Sequence, residues 1–113
     1  MPYIHTKTNL KITEETAEAI KRRLGNAISL FPGKSENWLM ITLEGNQKMY
    51  FQGEEKPVVF AEVKLFGTPE KSACAAFAKE ATGIFDELLG ICPDCIYIRF
   101  SGTENWSWNG RLF

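Results

Sequence analysis

Two amphipathic helical stretches, each with a strand-like run before and after it, constrain this chain more than any other feature. In the first, Ala17, Ile20, Leu24, Ala27, Ile28 and Phe31 recur at steps of three and four. That spacing puts one apolar stripe on a helix of about four to five turns. Thr13 supplies a capping hydroxyl, and Glu14 and Glu15 follow at the positive end of the helix dipole. Pro32-Gly33 ends the helix. In the second stretch the stripe is Ala73, Cys74, Phe77, Ala81, Ile84, Phe85 and Leu88. Gly67 breaks the preceding strand, Thr68 is the expected cap, Pro69 the expected first helical residue, and Gly90 the stop.

The strands are read from alternation. Pro2 to Thr8 has Ile4, Thr6 and Thr8 on one side and Tyr3, His5 and Lys7 on the other. Proline is tolerated as the first residue of a strand, where no ladder donor is needed. Trp38 to Glu44 and Pro57 to Phe66 follow, the latter with a wholly apolar face of Val59, Ala61, Val63 and Leu65. Lys48 to Phe51 is a candidate short strand. Cys95 to Ser101 is the last strong strand, and the aromatic, turn-rich tail from Gly102 to Phe113 has room for one more. The order is β-α-β-β-α-β. Two βαβ units of similar plan predict an α/β (α+β) fold with a four-stranded mixed sheet and two helices on one face.

At 113 residues the chain is expected to be a single domain spanning residues 1–113. Its net charge of −1 gives no electrostatic basis for nucleic-acid binding. No stretch reads as a signal peptide or a membrane span, so the expected location is the cytoplasm, with release by a route that needs no signal peptide left open. The open sheet face keeps His5, Trp38, Thr42, Glu62, Lys64, Phe66, Tyr97 and Arg99. It is too aromatic for a wet surface and too charged for a core, which suggests burial against other subunits.

Met1-Pro2, Thr8-Asn9, Gly33-Lys34, Phe66-Gly67, Pro93-Asp94, Tyr97-Ile98, Trp108-Asn109-Gly110 and the terminal Phe113 occur in this order over the whole chain. In that arrangement the sequence resembles the macrophage migration inhibitory factor family of the tautomerase superfamily. The resemblance implies a homotrimer whose three sheets form a barrel-like core around a central channel, with active sites at subunit interfaces. It implies keto–enol tautomerisation of phenylpyruvate-like or dopachrome-like compounds without a cofactor or metal. The base would be the Pro2 amine, freed by removal of Met1. Lys34 falls on the family's pocket lysine and Tyr97 on the tyrosine supplied by a neighbouring subunit. Phe66, Arg99, Trp38, Trp106 and Phe113 fall on substrate-binding positions. Phe66 is bulkier than the family's usual aliphatic residue, and Arg99 stands where the family prototype has asparagine.

Such chemistry needs a base beside the acidic carbon and charge stabilisation at the developing enolate. A free α-amine titrates at roughly 7.7–8.0, so it must be depressed by dry walls and cations to act near neutrality. Lys34 and Arg99 are the candidate cations, and both suit a substrate carboxylate. Taken alone, Arg99 reads nearly as well as a strand residue paired with Glu62, and Lys34 reads as a helix-end cation interacting with carbonyls. Family members also act as cytokine-like ligands, so a cell-surface receptor is the alternative partner to a small aromatic keto or enol acid. Cys92-Pro93-Asp94-Cys95 raises a third reading, thiol oxidoreductase. It is disfavoured because the motif follows a helix instead of opening one.

Overall fold

The computed structural model describes all residues, 1–113. Strand β1 (Pro2–Thr8) leads through helix α1 (Glu14–Ala27) to β2 (Met40–Glu44). Strand β3 (Val59–Phe66) leads through α2 (Lys71–Leu89) to β4 (Ile96–Thr103). The sheet order is β2-β1-β3-β4. Within each unit the strands are parallel, as a crossover helix requires, and the two units meet where β1 and β3 run antiparallel. The expected α+β architecture of two βαβ units is therefore present.

Alternation decides which face is dry. Along β1 and β3 every second residue is buried, and Ile4, Val59, Ala61, Val63 and Leu65 lie under the helices. Ile20, Leu24 and Ile28 press down from the first helical segment, and Phe77, Ile84 and Phe85 from the second. The Phe31 ring packs 5.3 Å from Phe77 and 6.1 Å from Phe100, tying the end of the first helical segment to α2 and β4. Burying each of these large side chains favours the fold by roughly 1.5–3 kcal/mol relative to exposure.

Local signals account for most boundaries. Thr13 caps α1, its Oγ1 accepting from the Thr16 amide at 3.2 Å. Gly90 ends α2 in the left-handed conformation, φ 68°, where its amide bonds back to Asp86. Thr8-Asn9 pins the long connection before β3. Thr8 Oγ1 donates to Val58 O at 2.7 Å, while the Asn9 amide donates to Lys56 O and accepts from the Val58 N–H.

Several expectations are corrected. Helix α2 begins at Lys71 with Glu70 as its N-terminal flank, not with Thr68 and Pro69. Those two residues instead belong to the turn that brings Gly67 against Gly102, and Pro69 Cδ would lie 2.8 Å from a Cβ at that glycine. The first helix is α-helical only to Ala27 and tightens into a 3₁₀ turn at Ile28–Leu30. Trp38 sits in a 3₁₀ turn, Glu36–Trp38, so it does not belong to β2 or to the open sheet face. Lys48 to Phe51 is not a strand; Phe51 makes only an isolated bridge to Glu54. The tail holds two short strands, β5 (Ser107–Trp108) and β6 (Arg111–Leu112). They close around Asn109 (φ 54°) and Gly110 (φ 76°), the pair of positive φ values that a tight two-residue hairpin demands.

Candidate functional site

Pro2 heads β1 opposite Leu65, at the end of β3. Its ring is buried on the helix side of the sheet. Just beyond, the Phe66 amide donates to Met1 O at 3.2 Å. The Phe66 carbonyl accepts from Lys34 Nζ at 3.1 Å, and the same ammonium stands 5.8 Å from the Phe66 ring centroid. Gly33 makes this possible: at φ 79° it turns the chain after Phe31-Pro32 so that Lys34 reaches the sheet end.

The Met1 amino group lies in the same corner. Burial pushes its pKa below the ordinary 8.0, and the positive Lys34 and its hydrogen bond act in the same direction. A protonated amine here has lost water and faces a second cation, so the neutral form gains.

Aromatic side chains wall this corner. An open cleft of about 700 Å³ lies between Met1, Pro2, Trp38, Met40, Trp106 and Trp108. Trp38 and Trp108 meet edge to face at 5.0 Å, and Phe66 and Phe113 at 5.6 Å. Phe113 is held by its amide, which donates to Trp106 O at 2.9 Å. Pro2, Lys34, Trp38, Phe66, Trp106 and Phe113 therefore gather around one end of the sheet, although they come from four separate stretches of sequence.

Tyr97 and Arg99 do not join them within the subunit. Tyr97 is paired with Phe60 and Arg99 with Glu62, whereas Pro2 is paired with Leu65. Five residues along β3 correspond to about 17 Å at roughly 3.3 Å per residue. Both side chains point to the open face. Tyr97 is 60% exposed and packs edge-on against Phe51 at 5.2 Å, beside a small apolar hollow of about 120 Å³. Arg99 approaches Glu62 at 3.7 Å, an exposed pair that adds little stability. His5 on the same face pairs with Glu44.

Two residues of this corner carry no role in the sequence reading. Trp108 packs edge-on against Trp38 in the cleft wall, and the signal that could have found it is the Asn109-Gly110 hairpin, which folds the tail back. Tyr3 lines the cleft and donates from its hydroxyl to Thr42 Oγ1 at 2.8 Å; alternation alone cannot separate it from an ordinary strand residue. No group of three His, Cys, Asp or Glu side chains converges to hold a metal, and no helix is long and apolar enough to cross a membrane.

Two βαβ units joined through antiparallel β1 and β3, with a proline heading a central strand, make the α+β fold shared with macrophage migration inhibitory factor structures. The family profile described as macrophage migration inhibitory factor (MIF) matches residues 1–113, and the chain belongs to that family. A MIF homologue of Brugia malayi is 26% identical over 115 residues, covering 100% of this chain and 99% of the relative. The crystal structure of Leishmania major MIF2 superposes with a TM-score of 0.94 at 21% identity, covering 100% of this chain and 97% of that one. The structure of a MIF homologue from Prochlorococcus marinus has a TM-score of 0.87 at 26% identity, with 98% of each chain covered.

Proposed function

We propose that this protein is a keto–enol tautomerase whose base is the Pro2 nitrogen once Met1 has been removed. The observation that carries the reading is the corner itself: a buried Pro2 ring, the Lys34 ammonium on the Phe66 carbonyl, and a Met1 amino group whose pKa burial and Lys34 both lower. While Met1 remains attached, the Pro2 nitrogen is a tertiary amide and holds no usable lone pair. With Met1 gone, the amine sits one residue deeper, at a buried ring, with the same cation nearby. Proline also fixes the direction of that lone pair, because its ring removes a backbone rotation.

In this reaction the amine takes a proton from the carbon next to the substrate carbonyl. The bonding pair becomes a C=C bond and negative charge builds on oxygen, where a hydrogen-bond donor and cations stabilise it. The oxygen then gains a proton from solvent and the Pro2 ammonium returns its own to solvent, so carbon loses and oxygen gains one proton, the base is restored, and no external oxidant or cofactor is used. Lys34 holds the substrate carboxylate, and Trp38, Phe66, Trp106 and Phe113 pack the aryl group. Tyr97 and Arg99 enter from a neighbouring copy in a homotrimer, because about 17 Å and 10 Å along the strand separate their register positions from that of Pro2.

The test combines intact mass with phenylpyruvate enol–keto kinetics. Protein lacking Met1 is expected to be active, and Pro2→Gly to lose most of kcat/KM. Full activity in protein shown by mass to retain Met1, or in Pro2→Gly, would overturn the assignment. Sedimentation should find three copies; an active monomer would remove Tyr97 and Arg99 from the site.

A further inference from the structure

The Cys92-Pro93-Asp94-Cys95 segment takes no part in the chemistry above. It forms a 3₁₀ turn at Pro93–Cys95 between α2 and β4, closed by the Cys95 amide donating to Cys92 O at 2.9 Å. Pro93 stands at the first position of that turn, where its fixed φ pre-forms the bend. Residues three apart in such a turn have Cα atoms within about 7 Å, and a disulfide spans about 4.4–6.8 Å. Cys92 is the extended residue flanking the turn, φ −61° and ψ 140°, and the Cys95-to-Cys92 hydrogen bond draws the two residues together.

We infer that Cys92 and Cys95 form a thiol–disulfide modification site that takes small disulfides of the glutathione type and closes into an intrachain bond. The two thiols differ in access. Cys92 is exposed, while Cys95 is partly covered and lines the small apolar hollow with Phe51 and Tyr97. Burial pushes the Cys95 thiol up, assisted by the Asp94 carboxylate and opposed by Lys56. Cys92 is therefore the entry thiol and Cys95 the resolving one. The Cys92 thiolate attacks one sulfur of the disulfide and expels a glutathione thiolate. The Cys95 sulfur, having lost its proton, then attacks the mixed disulfide at Cys92 and expels the second. Two electrons pass from the pair to the oxidant, and the two protons end on the two released thiols.

This inference does not depend on the tautomerase reading, and it describes a modified site, not a thiol catalyst. Closure would clamp the turn that feeds Ile96 and Tyr97 into β4. The experiment treats the whole native chain with oxidised glutathione, quenches with N-ethylmaleimide, and maps the tryptic peptide 80–99, which holds both cysteines but not Cys74. Two of the three thiols should be lost, the peptide should be lighter by two hydrogens, and Cys74 should still be alkylated. Cys95→Ser should stop at a stable glutathione adduct on Cys92. Cys92→Ser should react on the order of tenfold more slowly, because the remaining thiol is the covered one. The inference is overturned if wild-type protein keeps a stable adduct on Cys92, if both cysteines stay alkylatable, or if Cys92 links two chains.

Discussion

Gly102 and Gly25 look like the same problem and should behave in opposite ways. A Cβ placed on Gly102 would lie 2.0 Å from Gly67 O, 2.8 Å from Pro69 Cδ and 3.1 Å from Gly67 C. Ordinary contacts of this kind are about 3.5 Å, so backbone on one side must retreat by more than 1 Å. The retreat breaks the 2.8 Å bond from the Gly67 amide to Thr103 O. Overpacking costs about 1–3 kcal/mol and the lost hydrogen bond about 1, giving about 3 kcal/mol for Gly102→Ala. With a urea m-value of about 1.5 kcal/mol/M, the unfolding midpoint should fall by about 2 M. A Cβ on Gly25 would lie even so only 2.2 Å from Glu36 Oε2, but that atom ends an exposed, flexible side chain that can swing away. Gly25→Ala then gains about 0.5–1 kcal/mol from helix propensity and should raise the midpoint. A midpoint for Gly102→Ala within about 0.5 M of wild type, or a marked loss for Gly25→Ala, would refute the distinction between rigid and yielding neighbours.

Further outcomes follow from the site and the caps. The neutral Pro2 amine is the active form, so kcat/KM should rise with pH as that amine loses its proton. Lys34→Met removes the cation nearest the chain end and should move that rise to higher pH, as a lost positive neighbour no longer favours the neutral amine; an unmoved or lower midpoint in the pH profile would contradict the electrostatic role. Thr13→Ala removes the oxygen that accepts the Thr16 amide and should cost about 1 kcal/mol by urea titration, with Thr13→Ser recovering most of it.

The sequence carries some of this in plain form. Thr13 with two acids behind it, and Gly90 after the second stripe, mark helix ends because each residue acts through its own backbone neighbours. The apolar face of β3 is legible because period two maps directly onto burial. Where the reading slipped, a distant contact had won. Thr68-Pro69 has good capping chemistry, yet those residues are used to dock Gly67 on Gly102, thirty-five positions away. Trp38 alternates with Met40 and Thr42 as a strand residue would, but its ring is drawn to Trp108, seventy positions on. The grouping of Pro2, Lys34, Phe66 and Phe113 cannot be obtained from spacing at all. It came from the family resemblance, and the corner they form depends on a sheet end, a left-handed glycine and a hairpin acting together.

The first strand of the chain is also an interior strand of the sheet, with β2 on one side and β3 on the other. On a ribosome it emerges before either neighbour exists. Its partners lie about forty and sixty residues downstream, so two long loops must close before its ladder is complete. Assembly must therefore await β3, and a nascent chain halted before residue 59 should still be sensitive to protease over its opening residues.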